Sequence, residues 1–301
     1  MSTDKPAPGY TEQLPRPSAD RLTVQAGGPS VSIVIPAYNE ESVIRQCLIA
    51  AVYQSVPADQ IIVVDNRSTD STAKIVRQMQ QEYPESPIIL LEQNHERGLI
   101  PTRNFGFNHA SSDVIGRIDA DSVLEPDWVE QVRQAFRDAS ISAATGPVVY
   151  YDMPMRRFGL KADDRMRQLM LRLAKHQYQF LFGSNMALRR SAWNMIRDEA
   201  CRDERDEMHE DIDLSLHLAE HDLKVQYVPT MVSGMSARRL EDSPQDYRYY
   251  VTRFERTYKA HNVKKIALKA PMVVFFSVYF PAKVLRAVHA ASVNQMARRP
   301  R

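Results

Sequence analysis

Cysteine is almost missing from this chain. Cys47 and Cys201 are the two in 301 residues, with neither metal-ligand spacing nor a disulfide framework around them. This excludes a cystine-stapled secreted scaffold and points to a reducing compartment. The N-terminus lacks the apolar core of a signal peptide, and no internal repeat is found, which excludes a solenoid. A long hydrophobic run is also missing: Met272 to Ala282 is apolar apart from Ser277, shorter than the roughly twenty residues that span a bilayer. Acid is scarce at one end only. From Tyr247 to Arg301 a single acid, Glu255, stands against 12 Lys/Arg, a charge of +11, so the overall +2 leaves −9 on the first 246 residues. That acidic body argues against general nucleic-acid binding, and the basic tail points to an anionic surface, membrane lipid first.

What is present is an ordinary globular composition, 44% hydrophobic and 25% charged, long enough for a large buried core. Residues 1–29 are polar and broken by Pro6, Pro8, Pro15, Pro17 and Gly27-Gly28-Pro29, which predicts a disordered tail. Short apolar runs at Val31–Ile35 (ended by Pro36), Ile61–Val64, Ile88–Leu91 and Val114–Ile118 read as strands. They alternate with helical patterns over Glu40–Gln54, from the capping-rich loop Asp65–Thr72 through Val76 and Met79, over Gly98–Ala110, and from Pro126 onward. That alternation predicts an α/β fold with a mostly parallel sheet. The second half is less regular: a strand over Ser140–Tyr150, a basic connector with some helix over Met153–Gln177, a strand at Val225–Val228 and a helix over Gln245–His261.

The acidic pair Asp119-Ala120-Asp121 closes the fourth strand. Residues two apart in extended chain share a face, and like charges held together call for a cation or donors between them. Carboxylate oxygens suit Mg2+ or Mn2+, which favour phosphate oxygens. Alone, the pair reads as an ordinary strand-end turn. However, Pro36–Glu40 and Asp65–Asp70 also lie at strand carboxyl ends, where open α/β sheets bind ligands, and the three together fit one nucleotide-sized pocket.

The ordered set Val34-Ile35-Pro36-Ala37-Tyr38-Asn39-Glu40, Val64 through Asp70, Gly98 through Arg103-Asn104-x-Gly106, Asp119-Ala120-Asp121 and Glu210-Asp211 resembles the family 2 glycosyltransferases of the GT-A fold, over about residues 31–240. The resemblance implies a Rossmann-like, mostly parallel central sheet flanked by helices over 30–240; the basic residues 241–301 beyond it are expected as a C-terminal helical extension. It implies an inverting transfer from a nucleotide-diphosphate sugar, a UDP-sugar by preference, to a hydroxyl acceptor.

By the same resemblance, Pro36, Ala37, Tyr38 and Glu40 line the nucleoside site and Asp65 accepts from the base, the alternative for Asp65 being a helix cap. Asn66-Arg67 stands where relatives often carry Asp-Gly. Arg103 faces the diphosphate, or else pairs with Glu96 or Asp119. Asp121 binds the metal and Asp119 the metal or ribose. Asp211 is the general base, kept ionised by a helix N-terminus. Glu210 orients the acceptor, with Gly183-Ser184-Asn185 on the acceptor side; a solvated acidic face and a strand kink are the plain alternatives. The late loop Val232–Arg239 has no His where relatives supply a third metal ligand, so Arg238 or Arg239 is expected to help at the phosphates. The Gln-x-x-Arg-Trp motif of processive synthases is absent, Tyr250-x-x-Arg253-Phe254 being a distant echo, and single transfer is expected.

The C-terminal apolar stretch is flanked by Lys264, Lys265, Lys269, Lys283 and Arg286. It reads equally as an interfacial membrane segment over 264–286 or as a helix packed on protein. A lipid-linked or glycan acceptor at the inner face of the cell membrane, in cell-envelope polysaccharide or glycolipid synthesis, fits the first. The rival readings are a nucleotidyltransferase, whose Gly-rich phosphate loop is missing from Val31–Glu40, and a silent scaffold of the same fold.

Overall fold

The computed structural model describes residues 27–173, 179–201, 203, 207–263 and 270–297. The tail up to residue 26, the end of the basic connector and the cations Lys264, Lys265 and Lys269 lie outside the described residues.

The expected strands form because each apolar run can be buried on both faces. In β1 (Val31–Ala37) and β2 (Gln60–Asp65), Ile33, Ile35, Ile61 and Val63 face one core, while Val34, Ile62 and Val64 face the other. With β3 (Ile88–Glu92), β4 (Val114–Arg117), β6 (Ile141–Thr145), β8 (Met186–Arg189) and β9 (Lys224–Tyr227) they make a seven-stranded sheet, ordered β3-β2-β1-β4-β8-β6-β9. It is parallel except for β8, which runs antiparallel to both neighbours. Helices α1 (Ile44–Val52), α2 (Thr72–Glu82) and α4 (Trp128–Ala135) cover the first core; α3 (Leu99–His109), α6 (Arg190–Ile196) and α7 (Glu210–Glu220) cover the second. Gly116 makes room for this packing, since a Cβ there would lie 2.4 Å from the Trp128 ring.

Two sequence expectations change. Pro36 does not end β1: it pairs with Val64 beyond the last β4 pair, Val34 with Arg117, where its missing N–H costs the β4 ladder nothing. The strand expected over Ser140–Tyr150 breaks at Gly146-Pro147, where the backbone passes so close to residue 231 that a Gly146 Cβ would lie 2.0 Å from the Met231 carbonyl oxygen. Its second half, β7 (Val148–Tyr150), joins β5 (Val123–Leu124) and β10 (Ser233–Met235) in a three-stranded sheet, so part of the late loop is a strand.

The connector forms α5 (Arg156–Leu173). Beyond a 3-10 turn at Arg238–Glu241, α8 (Pro244–Ala260) starts on a Ser243 cap whose hydroxyl accepts from the Asp246 N–H. The last helix, α9 (Ala270–Ala297), is far longer than the apolar run suggested. Its stretch Met272–His289 is long and apolar enough to cross a membrane, and only 6% of it is buried. One stripe packs on α8, with Tyr279 stacked on Tyr247 at 4.1 Å. Val273, Phe276, Phe280, Val284 and Val288 stay exposed. The expected anchors Lys283 and Arg286 are engaged by protein: Lys283 donates to the Asp242 carbonyl at 2.7 Å, and Arg286 pairs with Asp152 and Glu241.

Candidate active site

The chain runs outward through β1, β2 and β3 and then returns to place β4 on the other side of β1. That reversal opens a crevice at the carboxyl ends of β1 and β4. Ala37 is paired with Asp65 in register, and Arg117 lies beside Val34, so the Tyr38–Glu40 turn, the Asp65 loop and Asp119–Asp121 rise from adjacent strands.

The Asp65 loop is built by its own polar groups. Asn39, in left-handed backbone at φ 54°, accepts from the Thr69 N–H and donates its N–H to Ser68. Asn66 gives its amide to the carbonyls of Gln93 and Glu96 and takes the Gly98 N–H, and Arg67 donates to the Asn94 carbonyl. Asp65 accepts the Ser68 N–H with one oxygen; its other oxygen is buried without a hydrogen bond. Tyr38 is exposed, whereas Ala37 is buried in β1.

Arg238 ties the crevice across almost the whole chain. Its guanidinium grips Glu40 with two hydrogen bonds, 2.9 and 2.7 Å, and its Nε lies 2.9 Å from Asp121. Burial, and then the neighbouring Asp119, pushes Asp121 up to about 7 against the pull of Arg238. Arg239 turns away, stacking over Tyr250 at 4.0 Å.

A residue that sequence reasoning overlooked joins the two halves of the site. Arg117 is buried in β4 and pairs with Asp119 at 2.7 Å and Glu210 at 3.2 Å. Its signal was a lone arginine in an otherwise apolar strand. Glu210 begins α7; burial would raise its pKa, yet Arg117 and Arg103 hold it below the usual carboxylate range. Asp211 accepts the N–H groups of Gly183 and Ile212, each at 2.8 Å. Burial and Glu210 together push it up to about 7, so the helix terminus does not keep it at its ordinary acidity as the sequence suggested. Any side chain at Gly183 would push the Arg117–Glu210 pair apart: a Cβ would lie 2.4 Å from Arg117 Nη1 and 2.8 Å from Glu210 Oε1.

Two expected site residues are placed elsewhere. Arg103 is fully buried one turn into α3, donating to Asn104 and to the Glu210 carbonyl at 2.9 Å, and burial brings it down to about 10. It pairs with neither Glu96 nor Asp119 and offers no face to a diphosphate; it holds the start of α7. Asn185 is fully buried, accepting from Trp128 Nε1 at 2.8 Å and donating to the carbonyls of Pro147 and Met231. It locks the break between β6 and β7. Ser184 is half-buried between it and Gly183.

The carboxylates fit a hard divalent cation shared with a ligand. Among the described residues, Asp119 and Asp121 do not form part of a closed cage of three or more protein ligands. Two carboxylates completed by phosphate oxygens are a usual way to hold Mg2+ or Mn2+, and the raised Asp121 marks a place where added positive charge is favourable.

Comparisons with known proteins agree on what this arrangement is. The chain is 20% identical to a mannosyltransferase of Pyrobaculum calidifontis solved with GDP-Man and Mn2+, at a TM-score of 0.61 over 92% of this chain and 77% of that one. The S. aureus protein TarS, residues 1–349 with UDP, gives a TM-score of 0.54 at 14% identity over 84% and 72% of the two chains. The fold is therefore that of the GT-A enzymes. A family description, glycosyl transferase family 2, matches residues 32–196: the chain belongs to this family. The glycosyltransferase AglE of Haloferax volcanii is 30% identical over 124 residues, 40% of this chain and 40% of that protein. The match therefore spans well under half of that relative's length. Family membership sets the nucleotidyltransferase reading aside.

Proposed function

We propose that the protein is an inverting, metal-dependent glycosyltransferase that uses a nucleotide-diphosphate sugar, UDP-sugar by preference, and a hydroxyl acceptor. The observation that carries this reading is the linkage through Arg117 of the Asp119–Asp121 strand end to the Glu210-Asp211 helix start. The donor half and the acceptor half thereby meet at one point. The half-satisfied, buried Asp65 supports base recognition, because its free oxygen would accept a ring N–H of uracil or guanine. The complexes of the two structural relatives, one with GDP-Man and one with UDP, support a nucleoside diphosphate but leave both bases in play.

In this reading Asp121 and Asp119 are the residues that would hold Mn2+ or Mg2+, which would neutralise charge on the leaving group. Arg238, whose guanidinium is held by Glu40 and Asp121, would turn from Glu40 to phosphate oxygens as the donor enters. Asp211 takes the proton of the acceptor hydroxyl as that oxygen bonds to the anomeric carbon. The bond from that carbon to the diphosphate breaks on the opposite face, so configuration inverts. A carboxylate raised to about 7 is well matched to proton acceptance at neutral pH. Gly183 lets the acceptor side close onto Asp211 and Glu210.

The exposed apolar stripe of α9 supports a membrane-bound acceptor, a lipid-linked sugar or glycan, at the inner face of the cell membrane. Transfer would then serve cell-envelope polysaccharide or glycolipid synthesis. The test is calorimetric binding of UDP and GDP, each with and without Mn2+. Metal-dependent binding of one nucleotide, lost in Asp121→Ala, is expected; binding of neither would overturn the donor reading and favour a silent scaffold.

A further inference from the structure

Behind α7, on the side away from Asp211, four side chains of mixed chemistry meet. Cys201 comes from the loop after α6, Asp213 and His217 from successive turns of α7, and His261 from the end of α8. One ligand atom from each lies within 4.8 Å of all the others. Asp213 Oδ1 is 2.9 Å from His261 Nε2 and 3.5 Å from His217 Nε2. Donors around a tetrahedral zinc stand roughly 3.3–3.8 Å apart, given bonds of about 2.0–2.3 Å. Small side-chain adjustments would bring this quartet to that spacing.

Two further observations point inward. His217 Nε2 is buried without a hydrogen-bond partner, on a side chain only 10% exposed. The opposite ring nitrogen of His217 is engaged by carboxylate, Nδ1 lying 2.9 Å from Glu220 Oε2, whereas His261 Nδ1 stands 3.7 Å from Glu220 Oε1, beyond hydrogen-bond reach. For His217 the Glu220 carboxylate on the outer nitrogen favours the tautomer that leaves Nε2 as a lone-pair donor, the usual support behind zinc-bound imidazoles. His261 Nε2 donates its proton to Asp213 at 2.9 Å and would have to give it up to a metal. The second oxygen of Asp213 is held by the Cys201 N–H at 3.1 Å, which brings the thiol-bearing residue to the cluster.

We propose that Cys201, Asp213, His217 and His261 form a structural Zn2+ site that pins α8 and the loop after α6 to the helix carrying Asp211. One thiolate, one carboxylate and two imidazoles suit zinc rather than the hard Mg2+ or Mn2+ that the strand-end pair would take. Positions two apart on a helix point about 200° from each other, so this ion would face away from the acceptor and set the position of Asp211 without touching substrate. Zinc binding would release the Cys201 thiol proton and displace the proton that His261 Nε2 donates to Asp213, and no other covalent change is involved.

The test is a Co2+ titration of the metal-stripped full chain. One equivalent should raise a thiolate-to-cobalt charge-transfer band, which the carboxylates at Asp119 and Asp121 cannot produce, and Zn2+ should bleach it. The band should persist in Cys47→Ser and in Asp121→Ala, vanish in Cys201→Ser, and need at least tenfold more Co2+ in His217→Gln. No band in the wild type, or a band that survives Cys201→Ser, would overturn the site and leave a His–Asp–His hydrogen-bonded network. Because Asp121→Ala is read in the same assay, failure here is separable from failure of donor binding.

Discussion

Arg238 and Glu40 are 198 positions apart and form a two-bonded ion pair at 2.9 and 2.7 Å across the mouth of the crevice. The same guanidinium reaches Asp121. One exposed arginine thus neutralises two carboxylates from different strand ends, and it does so from the loop in which the sequence lacked a histidine. Arg238→Ala should weaken nucleotide-diphosphate binding about tenfold and also lower the melting temperature, because it leaves the buried Asp121 carboxylate without its cation. Arg238→Lys should not restore binding, since an ammonium cannot reproduce the fork. Calorimetry on the three proteins checks both statements.

Asp211→Asn retains the size of the side chain and the hydrogen bond from Gly183, but it cannot take a proton. Transfer should fall about 10²–10⁴-fold with donor affinity unchanged. Turnover measured beside nucleotide binding decides this, and equal losses in both would point to a positioning role.

Asn185 is expected to matter for stability rather than for acceptor recognition. Asn185→Ala strands the Trp128 indole N–H and two backbone carbonyls in a buried site. A loss of about 3 kcal/mol in denaturant unfolding is expected, at one to a few kcal/mol for orphaned buried groups. A variant of wild-type stability with a changed acceptor affinity would return the residue to the acceptor side.

His209, which precedes α7, predicts an acid sensitivity. It is packed against Phe254 at 4.2 Å and Tyr250 at 4.8 Å, and burial depresses its pKa to about 4. The unfolded chain binds its proton near 6.5, so the unfolded state holds more protons between those values. Stability from the neutral ring is therefore complete above about 6.5 and is lost as pH falls towards 4. At pH 5 this amounts to about 2 kcal/mol. His209→Phe should shrink the difference in unfolding free energy between pH 7.5 and pH 5 by about that amount.

The division between sequence and structure follows from the range of the interactions. The strands themselves were legible in runs such as Val31–Ile35 and Ile61–Val64, because burial on two faces is written locally as continuous apolar residues. The positions of Asp65, Asp119 and Asp121 at strand ends followed from the same local pattern and the family's motif order. Arg103, by contrast, was assigned to the wrong environment. Its fate is set by the carbonyl of Glu210, 107 positions away, and no local pattern encodes that distance. The same holds for Arg117, whose partners include Glu210, and for Asn185, which serves the indole of Trp128. Met272–Ala282 looked too short because the apolar run stops where the helix does not: helix length is fixed by backbone hydrogen bonds, not by hydropathy. The sequence by itself determined the α/β architecture, the family and the placing of the acidic groups at strand ends. Tertiary structure alone decided which charges meet, because ion pairs and buried hydrogen bonds are settled by side chains that converge only after the sheet has assembled.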